Sequence, residues 1–167
     1  MTLKILPPVN VTRFEQLKPG QIFVFFDHTS PCYAIKTAKS PNRDRSDMVL
    51  LGPGFSTEVP NATLLSWQPA TVAVMGRDLT LVLATDPSKW FTDGDRRAPV
   101  CLAVCGEDVF VCANGGPTPQ RYLACYINLR TGDIVEGRLP SIAAFTRSWR
   151  LAAPTGDGSS MTLLEYP

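Results

Sequence analysis

No apolar run in this sequence of 167 residues is long. Glycine, proline or a charged residue cuts each within about eight residues, whereas a bilayer-spanning helix needs about twenty, so no membrane-spanning helix is expected. The stretch MTLKIL before Pro7-Pro8 is too short for the apolar segment of a signal peptide, and no secretion is expected. Charge of one sign is missing as well: 16 basic residues stand against 15 acidic ones. No global field draws the chain to nucleic acid or acidic lipid, and any such binding needs a local patch. Long helical patterns are excluded by the 15 prolines and 12 glycines, which leave no uninterrupted amphipathic stretch. There is no glycine-rich phosphate loop, no G-x-S-x-G and no paired-carboxylate motif. Asp93-Gly94-Asp95 resembles part of a calcium loop, but Arg96-Arg97 follows where oxygen ligands are needed, so a turn is expected.

What remains is β structure. The 44% hydrophobic and 19% charged content is that of a folded globular chain long enough to bury a full core, read as one compact domain over 1–167. Residues 21–27 and 32–38 are rich in aromatic and β-branched side chains and flank His-Thr-Ser-Pro, which predicts a hairpin. Residues 48–52 and 55–59 flank Pro53-Gly54 as a second. Residues 71–83 and 101–113 align without gaps, and their apolar arms flank Gly76-Arg77 and Gly106-Glu107, which suits two-residue turns. Asp86-Pro87 predicts a capped short helix through Trp90 and Phe91. Residues 122–129 and 133–139 form a fifth hairpin through Arg130-Thr131-Gly132. Strands follow at Trp149–Leu151 and at 161–166, the latter docking onto a sheet; residues 39–47 and 155–160 read as loops.

The expected fold class is all-β, with antiparallel hairpins forming an SH3-like barrel or a β-sandwich and one or two short helices. Leu51, Gly54, Pro60 and Ser66-Trp67 recur in order as Leu129, Gly132, Pro140 and Ser148-Trp149, which points to an internal duplication of 12–70 in 98–152, giving two small SH3-like barrels or one fused barrel. The opening F-x-x-L-x-x-G-x-x-F, carried by Phe14, Leu17, Gly20 and Phe23 with the later Leu51-x-x-Gly54 turn, resembles small SH3-like β-barrel proteins of phage and bacterial genomes. The resemblance covers about the first sixty residues, implies a fold, and carries no catalytic residue.

Four groups of residues bear on chemistry. Asp27, His28 and Cys32 combine the sole histidine with a thiol and a carboxylate, as a Cys–His nucleophile pair would. They sit on one hairpin with nothing to supply an oxyanion hole, so no catalytic residue is assigned and a cysteine-dependent hydrolase ranks last. Cys101, Cys105 and Cys112 fall on one face of the 101–113 hairpin with Cys101 opposite Cys112, but strand spacing is not zinc-knuckle spacing, and no metal or cofactor is expected. Five cysteines read as reduced, buried thiols of a cytoplasmic protein. Lys36, Lys39, Arg43 and Arg45 gather around the central loop and Arg96 and Arg97 near Trp90; Arg147 and Arg150 form another basic group. With an exposed aromatic, such loops would hold single-stranded nucleic acid. Trp67, Trp149, Tyr33, Tyr122 and Tyr126 read mainly as core.

The expected function is therefore a non-enzymatic binding module working through protein–protein contacts, self-association as a homodimer included. Lys36, Lys39, Arg43, Arg45, Trp90, Arg96 and Arg97 are the candidate binding residues. Single-stranded nucleic-acid binding through the basic loops is the alternative.

Overall fold

The computed structural model describes residues 9–27, 30–39, 46–51, 63–65, 69, 71–75, 79–92, 101–113, 125–136, 139, 143–155 and 157–166. Strands β1 (Val9–Arg13), β2 (Ile22–Asp27), β3 (Ser30–Lys39), β4 (Ser46–Leu50), β5 (Thr63–Leu65), β6 (Thr71–Met75) and β7 (Thr80–Leu83) come from the first half. The second half supplies β8 (Trp90–Phe91), β9 (Leu102–Cys105), β10 (Asp108–Ala113), β11 (Cys125–Asn128), β12 (Ile134–Glu136), β13 (Ala144–Thr146), β14 (Trp149–Pro154) and β15 (Ser160–Tyr166). The only helical turns among the described residues are the 3₁₀ turns Phe14–Gln16 and Pro87–Lys89. The fold is all-β and every strand pair is antiparallel.

Two six-stranded sheets share one strand order. The first runs β1-β6-β2-β3-β4-β5 and the second, from its other edge, β8-β13-β9-β10-β11-β12, so each strand matches the one seven places later. Registers match too. Phe23 faces Ala34 and Ala34 faces Leu50 in the first sheet, as Ala103 faces Phe110 and Phe110 faces Asn128 in the second. The Lys36 N–H donates to the Gln21 carbonyl at 3.1 Å as the Cys112 N–H does to Cys101 at 2.8 Å. Leu51 donates to Tyr33 at 2.8 Å as Leu129 does to Val109 at 2.9 Å. Leu51 and Leu129, matched in the sequence repeat, thus occupy the same rung; Gly54, Pro60, Trp67 and Pro140 lie outside the described residues.

Alternation along the strands divides the apolar residues into three cores. Phe14, Phe23, Phe25, Met48 and Leu50 fill the first sheet's own core, and Ala103, Phe110, Tyr126 and Phe145 with Cys101 and Cys112 fill the second's. The opposite faces meet in a shared core, where Ile35, Val49 and Leu51 pack with their counterparts Val111 and Ile127 and with Leu102, Cys125 and Trp149. A third sheet of order β15-β14-β7 closes it, and the Tyr166 hydroxyl donates to the Leu51 carbonyl at 2.7 Å.

Several expected elements differ. Residues 71–75 and 80–83 do not form a hairpin: β6 inserts between β1 and β2, so both of its edges are taken, and β7 pairs with β14 instead. The gapless similarity of 71–83 to 101–113 is therefore local; only 101–113 is a hairpin, with Cys105 facing Asp108 across a two-residue turn. The Asp86 side chain does cap, accepting from the Ser88 N–H at 2.9 Å, but only one turn follows and Trp90–Phe91 continue as strand β8. Strand β4 pairs with β3 and with β5 at 63–65; the expected strand at 55–59 lies outside the described residues.

Candidate functional site

The elements that close the shared core leave a gap between them. Between the sheets lies a half-open cavity of about 260 Å³, lined by Ile22, Leu51, Leu79, Leu81, Leu102, Val109, Leu129, Trp149 and Leu151, with Glu107 and Arg130 as its charged members. Its apolar lining comes in matched pairs. Ile22 and Leu102 open equivalent strands, Leu51 and Leu129 end equivalent strands, and Leu81 and Leu151 stand directly opposite each other in the β7–β14 ladder. With Leu81 matched to Leu151, Leu79 is matched to Trp149, so the strand correspondence replaces the Trp67–Trp149 match of the sequence repeat. A site at the junction of two equivalent halves is a common place for a ligand or partner side chain.

The mouth is polar and held rigidly. The Asn128 side-chain oxygen accepts from the N–H groups of Arg130 at 2.9 Å and Thr131 at 3.2 Å, fixing the turn after β11. The Arg130 guanidinium donates to the Asp108 carboxylate at 2.7 Å, and this hydrogen bond holds the Asp108 carboxyl below the usual carboxylate range. Behind this turn Gly132 and Gly20, both at positive φ, meet: a Cβ on Gly132 would lie 2.6 Å from the Gly20 nitrogen, and one on Gly20 would lie 2.2 Å from the Arg130 carbonyl oxygen. The Ala38 N–H donates to the Gly132 carbonyl at 2.8 Å, tying the turn to β3. Among the described residues the lining holds no thiol, hydroxyl or imidazole, and what it can do is exclude water from an apolar group, with Arg130 and Glu107 at its rim.

The residues singled out by the sequence lie elsewhere. Lys36 is not a surface cation: it is 6% exposed, and its Nζ donates to the carbonyls of Phe14 (3.1 Å), Glu15 (3.1 Å) and Leu17 (2.8 Å) and sits 4.9 Å from the Phe14 ring. Burial lowers its pKa, against which the Glu15 charge works. It pins the 3₁₀ turn and offers nothing to a phosphate. Lys39 is exposed at the end of β3 opposite Ser46. Trp90 is half-buried and its indole N–H donates to the Ala84 carbonyl at 2.9 Å. Arg43, Arg45, Arg96 and Arg97 lie outside the described residues, as does His28. Cys32 is 1% exposed, which closes it to a substrate. Arg147 is exposed and lies 5.3 Å from the Phe91 ring.

Cys101 and Cys112 are opposed as the two-residue turn requires, and Cys105 packs against the same core, whereas Cys125 faces the shared one. Burial, with Cys112 nearby, pushes the Cys101 thiol up to about 12. Among the described residues no group of three His, Cys, Asp or Glu side chains could hold a metal ion, and no helix is long and apolar enough to cross a membrane. Sequence reasoning missed Leu79, Leu102, Val109 and Arg130 because a cavity between equivalent strands has no local signature; the Leu51–Leu129 repeat was the one signal pointing at it. No family model, curated protein or solved structure matches this chain.

Proposed function

We propose that the protein is a non-enzymatic binding module that acts through protein–protein contacts, with the cavity between its halves as the anchor slot. The observation that carries this reading is the open apolar cavity lined by matched leucines and rimmed by Glu107 and Arg130. Removing an apolar side chain from water there contributes about 25 cal/mol per Å² of its surface, enough for one aromatic or aliphatic anchor to dominate a contact. The nucleic-acid alternative is weakened by Lys36, whose ammonium is consumed internally. A reducing cytoplasmic setting belongs to the same proposal, supported by five free cysteines of which four are buried.

The test is capture of partners by the tagged protein and by Leu79→Trp, which fills the cavity, with and without nuclease. A stoichiometric protein retained after nuclease and lost with Leu79→Trp supports the module. Loss of every partner with nuclease, or no partner at all, overturns it.

A further inference from the structure

The third sheet breaks the internal equivalence of the molecule. Strand β14 carries β15 on its outer edge, yet β7, its counterpart, has no strand on the corresponding edge among the described residues. That edge presents backbone groups. The Ala84 N–H donates to the Ser148 carbonyl at 3.1 Å, and since bonded pairs alternate in an antiparallel ladder, Val82 and Thr80 also point toward β14 while Leu81 and Leu83 point away from it. On β14 the residues that match Leu79 and Leu81, Trp149 and Leu151, face Tyr166 and Leu164 of β15.

The cavity fits the same comparison. Tyr166 lies against Trp149, with ring centroids 4.6 Å apart, and its hydroxyl reaches the carbonyl of Leu51. Exchanging halves turns Trp149 into Leu79 and Leu51 into Leu129, and all four line the cavity. The described lining includes Val109 and Glu107 and not their counterparts Tyr33 and Pro31. The part of the cavity beside Leu79, Leu129 and Val109 corresponds to the place that Tyr166 fills.

We propose that an extended segment of a partner protein adds, as an antiparallel strand, to the edge of β7 that no described strand covers and seats an aromatic side chain in this cavity, a proposal that rests on the binding-module reading. Backbone pairing to Leu81 and Leu83 supplies register, and a phenol hydroxyl would reach the Leu129 carbonyl as Tyr166 reaches that of Leu51. Arg130 is already paired with Asp108 and Glu107 adds a second anion at the mouth, which favours an uncharged ring over a phosphate or a carboxylate.

The probe is a labelled peptide with the sequence of residues 160–166, Ser-Met-Thr-Leu-Leu-Glu-Tyr, titrated into the full chain. The expected result is saturable binding, weakened by about tenfold or more when the peptide's tyrosine becomes alanine, and lost when its β7-facing amides are N-methylated. Hydrogen exchange should slow at Leu81 and Leu83 while β15 stays protected. No saturation up to about 1 mM, equal binding of the N-methylated peptide, or loss of protection in β15, which would mean strand exchange at β14, overturns the proposal. A partner captured by wild type, lost with Leu79→Trp and retained by Leu81→Pro, which removes an edge donor, would sink strand addition while leaving the module reading intact.

Discussion

Two buried polar residues carry consequences that a surface reading of the sequence would not give. Lys36 holds three backbone carbonyls, so Lys36→Met leaves them unpaired in a buried site and should cost about 2–4 kcal/mol, read from urea denaturation. An unchanged midpoint would mean that water replaces the ammonium there. Cys101 holds its proton more tightly folded than unfolded, so its contribution is complete below its ordinary value of 9.0 and is lost as pH rises toward about 12. Tyr33 and Tyr166, whose pKa values burial raises, act in the same direction; Lys36, lowered by burial, acts against them. Stability should therefore fall above pH 9, and in Cys101→Ala the fall should be shallower by up to about 1.4 kcal/mol per pH unit. Equal slopes would show that other groups dominate. The charge clusters visible in the sequence did not disclose Lys36's role, because a strand residue's face depends on register, and register here is set by contacts far along the chain.

Between elements, equivalent rungs are filled by different residues of similar total volume. In the first sheet Phe23 faces Ala34; in the second Ala103 faces Phe110, so the ring has changed strands while the pair keeps its size. Phe23→Ala should cost about 3–5 kcal/mol, and adding Ala34→Phe should return a measurable part of it, with a double-mutant coupling above about 1 kcal/mol. Simple addition of the two losses would refute the compensation. Before β2, where Gly20 packs against the turn after β11, Gly20→Ala combines positive φ with a backbone clash and should cost more than the roughly 1 kcal/mol of positive φ alone. Local signals made some elements legible: aromatic alternation marked β2, the Gly106-Glu107 turn marked β9 and β10, and Asp86 marked its cap. Strands β1, β5 and β13 carried no comparable signal, being short segments whose pairing is decided by partners elsewhere in the sequence. The β6–β7 misreading has the same origin, since turn chemistry at Gly76 says nothing about two neighbours already seated on β6.

For the whole molecule, the shared core makes the halves interdependent. Ile35, Val49 and Leu51 are covered by residues of the second half, and separating the halves would expose them. Thermal unfolding should accordingly be a single transition, with Trp149 fluorescence and far-ultraviolet circular dichroism reporting one midpoint, and a fragment of residues 1–92 should fail to fold alone. Two resolved transitions, or a folded fragment, would show that each sheet's own core suffices. The all-β class was legible because glycine and proline punctuation leaves little else; the arrangement of two matched sheets under a third was only hinted at by the Leu51–Leu129 repeat, since core residues preserve volume and pattern more than identity.

The bond from Tyr166 to Leu51 spans 115 residues, and it bears on how the chain reaches this state during synthesis. Strands β1 to β6 can pair as soon as residue 75 has emerged, but the face carrying Ile35, Val49 and Leu51 then has nothing from the second half to cover it until β9 to β11 follow, and its closure waits for β14 and β15. A nascent chain would carry this bare apolar surface from the completion of β6 until the second sheet emerges, a window in which chaperone engagement competes with misassembly between neighbouring copies.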